Sequence, residues 1–101
     1  MTQAQINKAI AKGVAERKKA HWAKMLAEEK AFDKRIASCK TTKDFDDLKE
    51  VISELSGEQY RQHYKNVEYK HYEDAGFNDD YREMYDEIDT KLWKRRQELG
   101  L

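Results

Sequence analysis

The sequence predicts an all-α fold of three to four helices in a single domain, with a long N-terminal helix packed on a small helical bundle. Three observations carry that expectation. The 101 residues include no proline and only four glycines, Gly13, Gly57, Gly76 and Gly100, so the chain has few places to turn. Ala, Lys, Glu, Gln, Arg and Leu dominate, and all of them lose little freedom in a helix. Apolar residues recur at spacings of three and four rather than two.

The first element is expected over Gln3 to Cys39, as one long helix or two stacked pieces. Ile6, Ile10 and Val14 fall four apart on one face, and Gly13 and the run Arg17-Lys18-Lys19 weaken the pattern. It resumes with Trp22, Met25, Phe32, Ile36 and Cys39 in a heptad rhythm, Glu29 filling the one missing step. A narrow seam of this kind packs against another helix.

Thr41 and Thr42 are suitable N-caps, since their hydroxyls can accept the orphan N–H groups of a new helix. That helix is expected to run to about Leu55, with Phe45, Leu48, Ile52 and Leu55 on one face. Asp44, Asp46 and Asp47 lie in its first turn, where the helix dipole favours negative charge. Ser56-Gly57 reads as its end. A third helix is expected from Glu58 to about Ala75, with Tyr60, Tyr64, Val67 and His71 on one face. Its apolar face is aromatic, and a tyrosine that keeps its hydroxyl wet suits a rim or an interface. Gly76-Phe77-Asn78 reads as a turn, and Asn78 or Asp79 as the cap of the last helix. That helix carries Tyr81, Tyr85, Ile88, Leu92 and Leu99 on one stripe, with Trp93 beside it and Lys94, Arg95 and Arg96 near its end.

Charge divides the chain. Residues 1–43 carry eleven Lys/Arg against four Asp/Glu, and residues 44–92 carry six against fifteen, although the whole chain is neutral. A basic N-terminal helix or helix pair (1–39) therefore precedes an acidic helical body (40–101). The two can neutralise each other inside one fold, or each can face a partner. Charged residues make up 40% of the chain and the mean hydropathy is −1.12. So polar a sequence supports only a thin core, or one completed by a partner or by a second copy in a homodimer.

No catalytic constellation, cofactor motif or metal site is read. There is no Gly-x-Ser-x-Gly or Gly-rich phosphate loop. Cys39, the only cysteine, continues an apolar stripe, and a buried thiol there would be inert. His63 and His71 stand eight apart and do not converge on one ion, and the acidic run around Asp79 lacks the alternation and central glycine of a calcium loop. No disulfide can form within the chain, no secretory signal is seen and no apolar run is long enough to span a bilayer. These features lead to an expected cytoplasmic setting with no membrane contact. A binding protein is thus expected rather than an enzyme. Arg17, Lys18, Lys19, Lys34 and Arg35 on the first helix are candidate nucleic-acid contacts, because a basic helix can bind phosphate without reading sequence.

From Lys34 to about Arg96 the chain resembles the haemolysin-expression-modulating Hha/YmoA family. The residues that carry the resemblance are Cys39-x-Thr41, Glu54-Leu55-Ser56, Tyr64 and Tyr85-Asp86-x-Ile88-x4-Trp93-Lys94. The chain departs from the family by an N-terminal extension and an insertion around Ala75 to Asp79. It also has Asp89 where the family has a proline, so the last helix is expected to continue through that point. The resemblance implies a small helical co-regulator that docks on the dimerisation region of an H-NS-like nucleoid protein and modulates gene expression. It also implies that Asp46 and Glu68 are acidic partner contacts and that Tyr64 matches a tyrosine of the family's third helix; Tyr64 and Tyr60, from the aromatic face read above, are further candidate partner contacts. Two other readings compete: a small phage or mobile-element inhibitor that blocks a host enzyme or defence complex, and a non-specific nucleic-acid binder acting through the basic helix.

Overall fold

The computed structural model describes Met1–Leu101 as three helices and no strand: α1 (Gln3–Ser38), α2 (Thr42–Glu68) and α3 (Tyr72–Glu98). Local chemistry sets most of the ends. The Thr2 hydroxyl accepts from the Gln5 N–H while the Gln5 side chain accepts from the Thr2 N–H. Thr41 and Asp44 repeat this reciprocal arrangement at the start of α2. Both α2 and α3 close on a left-handed residue, Lys70 (φ 63°) and Gly100 (φ 70°). In each case the next N–H reaches back five residues, His71 to the Asn66 carbonyl and Leu101 to the Arg96 carbonyl.

Two expected breaks are absent. Helix α2 runs through Ser56-Gly57, and α3 runs through Gly76-Phe77-Asn78. The architecture is therefore three helices joined at Cys39–Thr41 and at Tyr69–His71, the second turn falling inside the stretch expected as one unbroken third helix. A helical glycine costs about 1 kcal/mol relative to alanine, too little to end a helix held by packing on both sides of it. Helix α3 also continues through Asp89, as the missing proline leads one to expect.

Helix α3 lies between the other two. It shares its most extensive interface with α2, and α1 packs chiefly on α3 and barely touches α2. The pairs Arg17–Asp74, His21–Asp80, Glu28–Tyr85 and Glu29–Lys91 advance together along both helices, so α1 and α3 run parallel. The pairs Asp46–Arg96, Lys49–Asp89 and Asn66–Asn78 show α2 antiparallel to α3. The core joins Met25, Phe32, Ile36 and Cys39 of the α1 end to Phe45, Leu48 and Ile52 of α2 and Tyr81, Met84, Tyr85, Ile88 and Leu92 of α3. It is thin, as the composition predicts: 14 of 101 residues are buried.

The seam of α1 differs from the heptad reading. His21, not Trp22, is buried, stacked on Phe77 with ring centroids 4.4 Å apart, and Trp22 is 53% exposed. The stripe that faces the hairpin is Ile6, Ile10, Val14, then Arg17, His21, Met25, then Glu28, Phe32, Ile36. It repeats every eleven residues and so keeps phase with a nearly straight helix. The hairpin does not extend far enough to cover its beginning. Every residue from Met1 to Lys12 is exposed, and the first polar tie between α1 and the rest of the chain is Arg17 to Glu73 and Asp74. Gln3 to Val14 thus form an arm of about 18 Å, at 1.5 Å per residue. The Cα extents of 63 × 26 × 14 Å and the radius of gyration of 17.8 Å reflect that arm and the flat, three-helix layer behind it.

Candidate partner-binding surface

The apolar stripe of α3 leaves its opposite face to solvent. Glu83, Asp86 and Glu87 lie on that face at spacings of three and four, all exposed, and none has an ion-pair partner in the chain. Aromatic groups from both neighbouring helices flank them. On the α1 side, Trp22 lines a shallow cleft of 170 Å³ with Met25, Glu29, Asp80, Glu83, Met84 and Glu87. On the α2 side, Tyr60 and Tyr64 pack edge to face, with centroids 4.8 Å apart and hydroxyls 3.0 Å apart. The Arg82 guanidinium covers the Tyr60 ring at 5.3 Å, and Arg82 is itself held by Asp79 at 3.3 Å. The Tyr64 hydroxyl titrates above its ordinary range because it is hydrogen-bonded to Tyr60.

Tyr60 and Tyr64 are surface groups, 45% and 56% exposed. Glu68 continues their row on α2 and is exposed without an ion-pair partner. Asp46 does not join them. It lies 22 residues earlier on the same helix, about 33 Å away at 1.5 Å per residue, and pairs with Arg96 at 3.2 Å. The structure thus brings Tyr60, Tyr64 and Glu68 together and leaves Asp46 at the other end. Glu83, Asp86, Glu87 and Trp22 were missed as a surface by sequence reasoning. The signal was present as three carboxylates spaced opposite the Tyr81, Tyr85, Ile88 stripe.

Among the basic candidates, Arg17 is occupied by Glu73 and Asp74, and Arg35 lies over the Phe32 ring at 5.4 Å. Lys18, Lys19 and Lys34 are exposed and unpaired, as are Lys8, Lys12, Lys24 and Lys30. The basic helix and acidic body hence meet at Arg17 with Glu73 and Asp74, at His21 with Asp80, and, with the charges reversed, at Glu29 and Asp33 with Lys91. Each keeps a free field.

Elsewhere the chemistry is quiet. Burial raises the Cys39 thiol above its ordinary range, with Asp44 adding to the effect, and the sulfur donates to the Arg35 carbonyl at 3.3 Å. The cleft of 380 Å³ at this corner is lined by Lys34, Arg35, Ser38, Cys39, Asp44, Asp47 and Leu48, with no histidine among them. No group of three or more His, Cys, Asp or Glu side chains is placed to hold a metal ion. No helix is long and apolar enough to cross a membrane. No protein-family model, curated protein or solved structure matches the chain.

Proposed function

We propose that the protein acts by binding a basic segment of a partner protein on the acidic face of α3 and the adjoining Tyr60–Tyr64–Glu68 row of α2. The observation that carries this reading is the set of carboxylates left without partners beside exposed aromatic rings. Glu83, Asp86, Glu87 and Glu68 repel one another's charge and gain by meeting Lys or Arg. Trp22 and Tyr64 offer ring faces for guanidinium groups and for the methylene stems of lysines, as Tyr60 already does for Arg82. Such a surface sets partner choice and encounter rate first, and affinity where a pair becomes desolvated.

The resemblance to the Hha/YmoA family gives the partner its most specific form, an H-NS-like nucleoid protein whose dimerisation region carries the basic residues. The function would then be modulation of gene expression in the cytoplasm. A pull-down against an H-NS dimerisation domain tests this, with capture expected at low salt and weakened by added salt. Absence of capture at low salt would sink the H-NS form of the reading.

A second reading rests on the unpaired lysines of α1. Seven of them project from one helix with no internal counter-charge, which suits sequence-independent contact with phosphates. It predicts DNA binding whose affinity falls steeply with salt and disappears when residues 1–30 are removed. No shift of DNA by the full chain at low salt would end it.

A further inference from the structure

We infer that the α1 arm and the tip of the α2–α3 hairpin form the interface of a two-fold dimer, so that the partner of this end of the molecule is a second copy of the chain. The inference is independent of the acidic face.

The arm continues an interface that already exists. Ile6, Ile10 and Val14 are in the same eleven-residue phase as His21, Met25, Phe32 and Ile36, which α1 buries against the hairpin. Beyond Arg17 the stripe runs on with nothing beneath it, and Ile10 is 61% exposed. The hairpin tip beside Arg17 is bare in a matching way. Tyr69 and Tyr72, on either side of the left-handed Lys70, are 63% and 65% exposed, and Val67 lies next to them. Arg17 and Tyr72 line one cleft, so arm and tip stand at the same end of the molecule.

That placement favours self-association over a different partner. Two arms crossing antiparallel about Ile10 set Ile6 of each against Val14 of the other. The crossing also carries each N-terminal turn alongside the other copy's Tyr69 and Tyr72. One closed, isologous contact then covers both unpartnered features in both chains. Area agrees. The chain exposes 7415 Å², whereas a compact monomer of 12.0 kDa exposes roughly 6,000 Å². The excess exceeds the roughly 800 Å² per partner that a standard interface buries.

Sedimentation equilibrium of the full chain tests the proposal, with Ile10→Asp as the interface variant and far-UV circular dichroism as the control for folding. Ile10 is 61% exposed and lies outside the core, so the variant keeps the fold. The expected result is a concentration-dependent shift of the wild type to twice the 12.0 kDa chain mass and a monomer for Ile10→Asp. A wild type that stays monomeric at the highest attainable concentration overturns the proposal, as does a dimer that Ile10→Asp leaves intact. The orientation has its own readout: an Ile10→Cys chain should form an intermolecular disulfide under mild oxidation, because the two-fold axis passes beside that residue. A dimer in which Ile10→Cys does not cross-link also overturns the proposal. Cys39 is 5% exposed and does not compete.

Discussion

Phe32→Ala is the substitution that most sharply tests how α1 is held against the hairpin, and therefore how Trp22 is kept beside Glu83 and Glu87. Phe32 is buried and meets Tyr85 edge to face with centroids 5.9 Å apart. Removing a buried phenyl ring costs about 3–5 kcal/mol, and the lower end applies where one side of the site is close to solvent. The ring's covering group, Arg35, is exposed, so about 3 kcal/mol is expected. A chain of this length has a total stability of about 5–15 kcal/mol, and a core this thin places it near the bottom of that range. The variant should thus retain only about 2 kcal/mol, with its melting temperature lowered by more than about 10 °C. Urea unfolding followed by far-UV circular dichroism and by the fluorescence of Trp22 and Trp93 measures it. The tryptophans lie on α1 (Trp22) and α3 (Trp93), so the fluorescence reports on both helices. Loss of less than about 1 kcal/mol would refute the account of α1 docking, since a buried ring then contributes no more than a surface one.

Other outcomes follow from single features. Thr41→Ala removes one half of the reciprocal cap and should cost about 1 kcal/mol in the same urea assay. Asp44, the other half, is held below the ordinary carboxylate range by the Lys40 and Thr41 N–H groups. Its contribution is present above the unfolded-state value and is lost as pH falls through the folded one, so an acid titration of Asp44→Asn should show a shallower decline than wild type. Lys70→Gly should stabilise by roughly 0.5–1 kcal/mol, because it relieves a left-handed lysine whose strain exceeds the entropy that glycine loses. Burial and the hydrogen bond to Glu28 at 2.8 Å raise the Tyr85 hydroxyl well above its ordinary range. Its contribution is complete below the unfolded tyrosine value near 10 and is lost as pH rises through the folded one. Alkaline unfolding should therefore be milder in Tyr85→Phe, and a tyrosinate absorbance titration that ionises all six tyrosines together before unfolding would contradict the assignment.

Much of the fold was legible because the decisive residues act locally. Thr41 caps through its own hydroxyl, and the stripes Phe45-Leu48-Ile52 and Tyr81-Tyr85-Ile88-Leu92 are buried as their spacing requires. The errors share one cause: local signals were weighed without knowing which neighbour was present. Gly57 and Gly76 read as punctuation, yet helices on either side hold them helical. Lys70 carries the true turn and gives no warning, since lysine has no preference for a left-handed backbone. The choice between His21 and Trp22 is a matter of one position, and the larger ring was the natural guess. The site was half visible for the same reason. The charge division, Tyr60 and Tyr64 were read from the sequence pattern and Glu68 from the family resemblance, whereas the join of Trp22 to Glu83 and Glu87 depends on α1 running parallel to α3.

The most direct test of the central claim is calorimetric titration of an H-NS-type dimerisation domain into the wild type and into Glu83→Lys/Glu87→Lys, at low and at raised salt. Both positions are exposed and unpaired, so the fold is preserved. The account predicts that the double reversal weakens binding at least about tenfold at low salt, about 1.4 kcal/mol, and that raised salt narrows the difference. Equal affinity of the two proteins at low salt would contradict it.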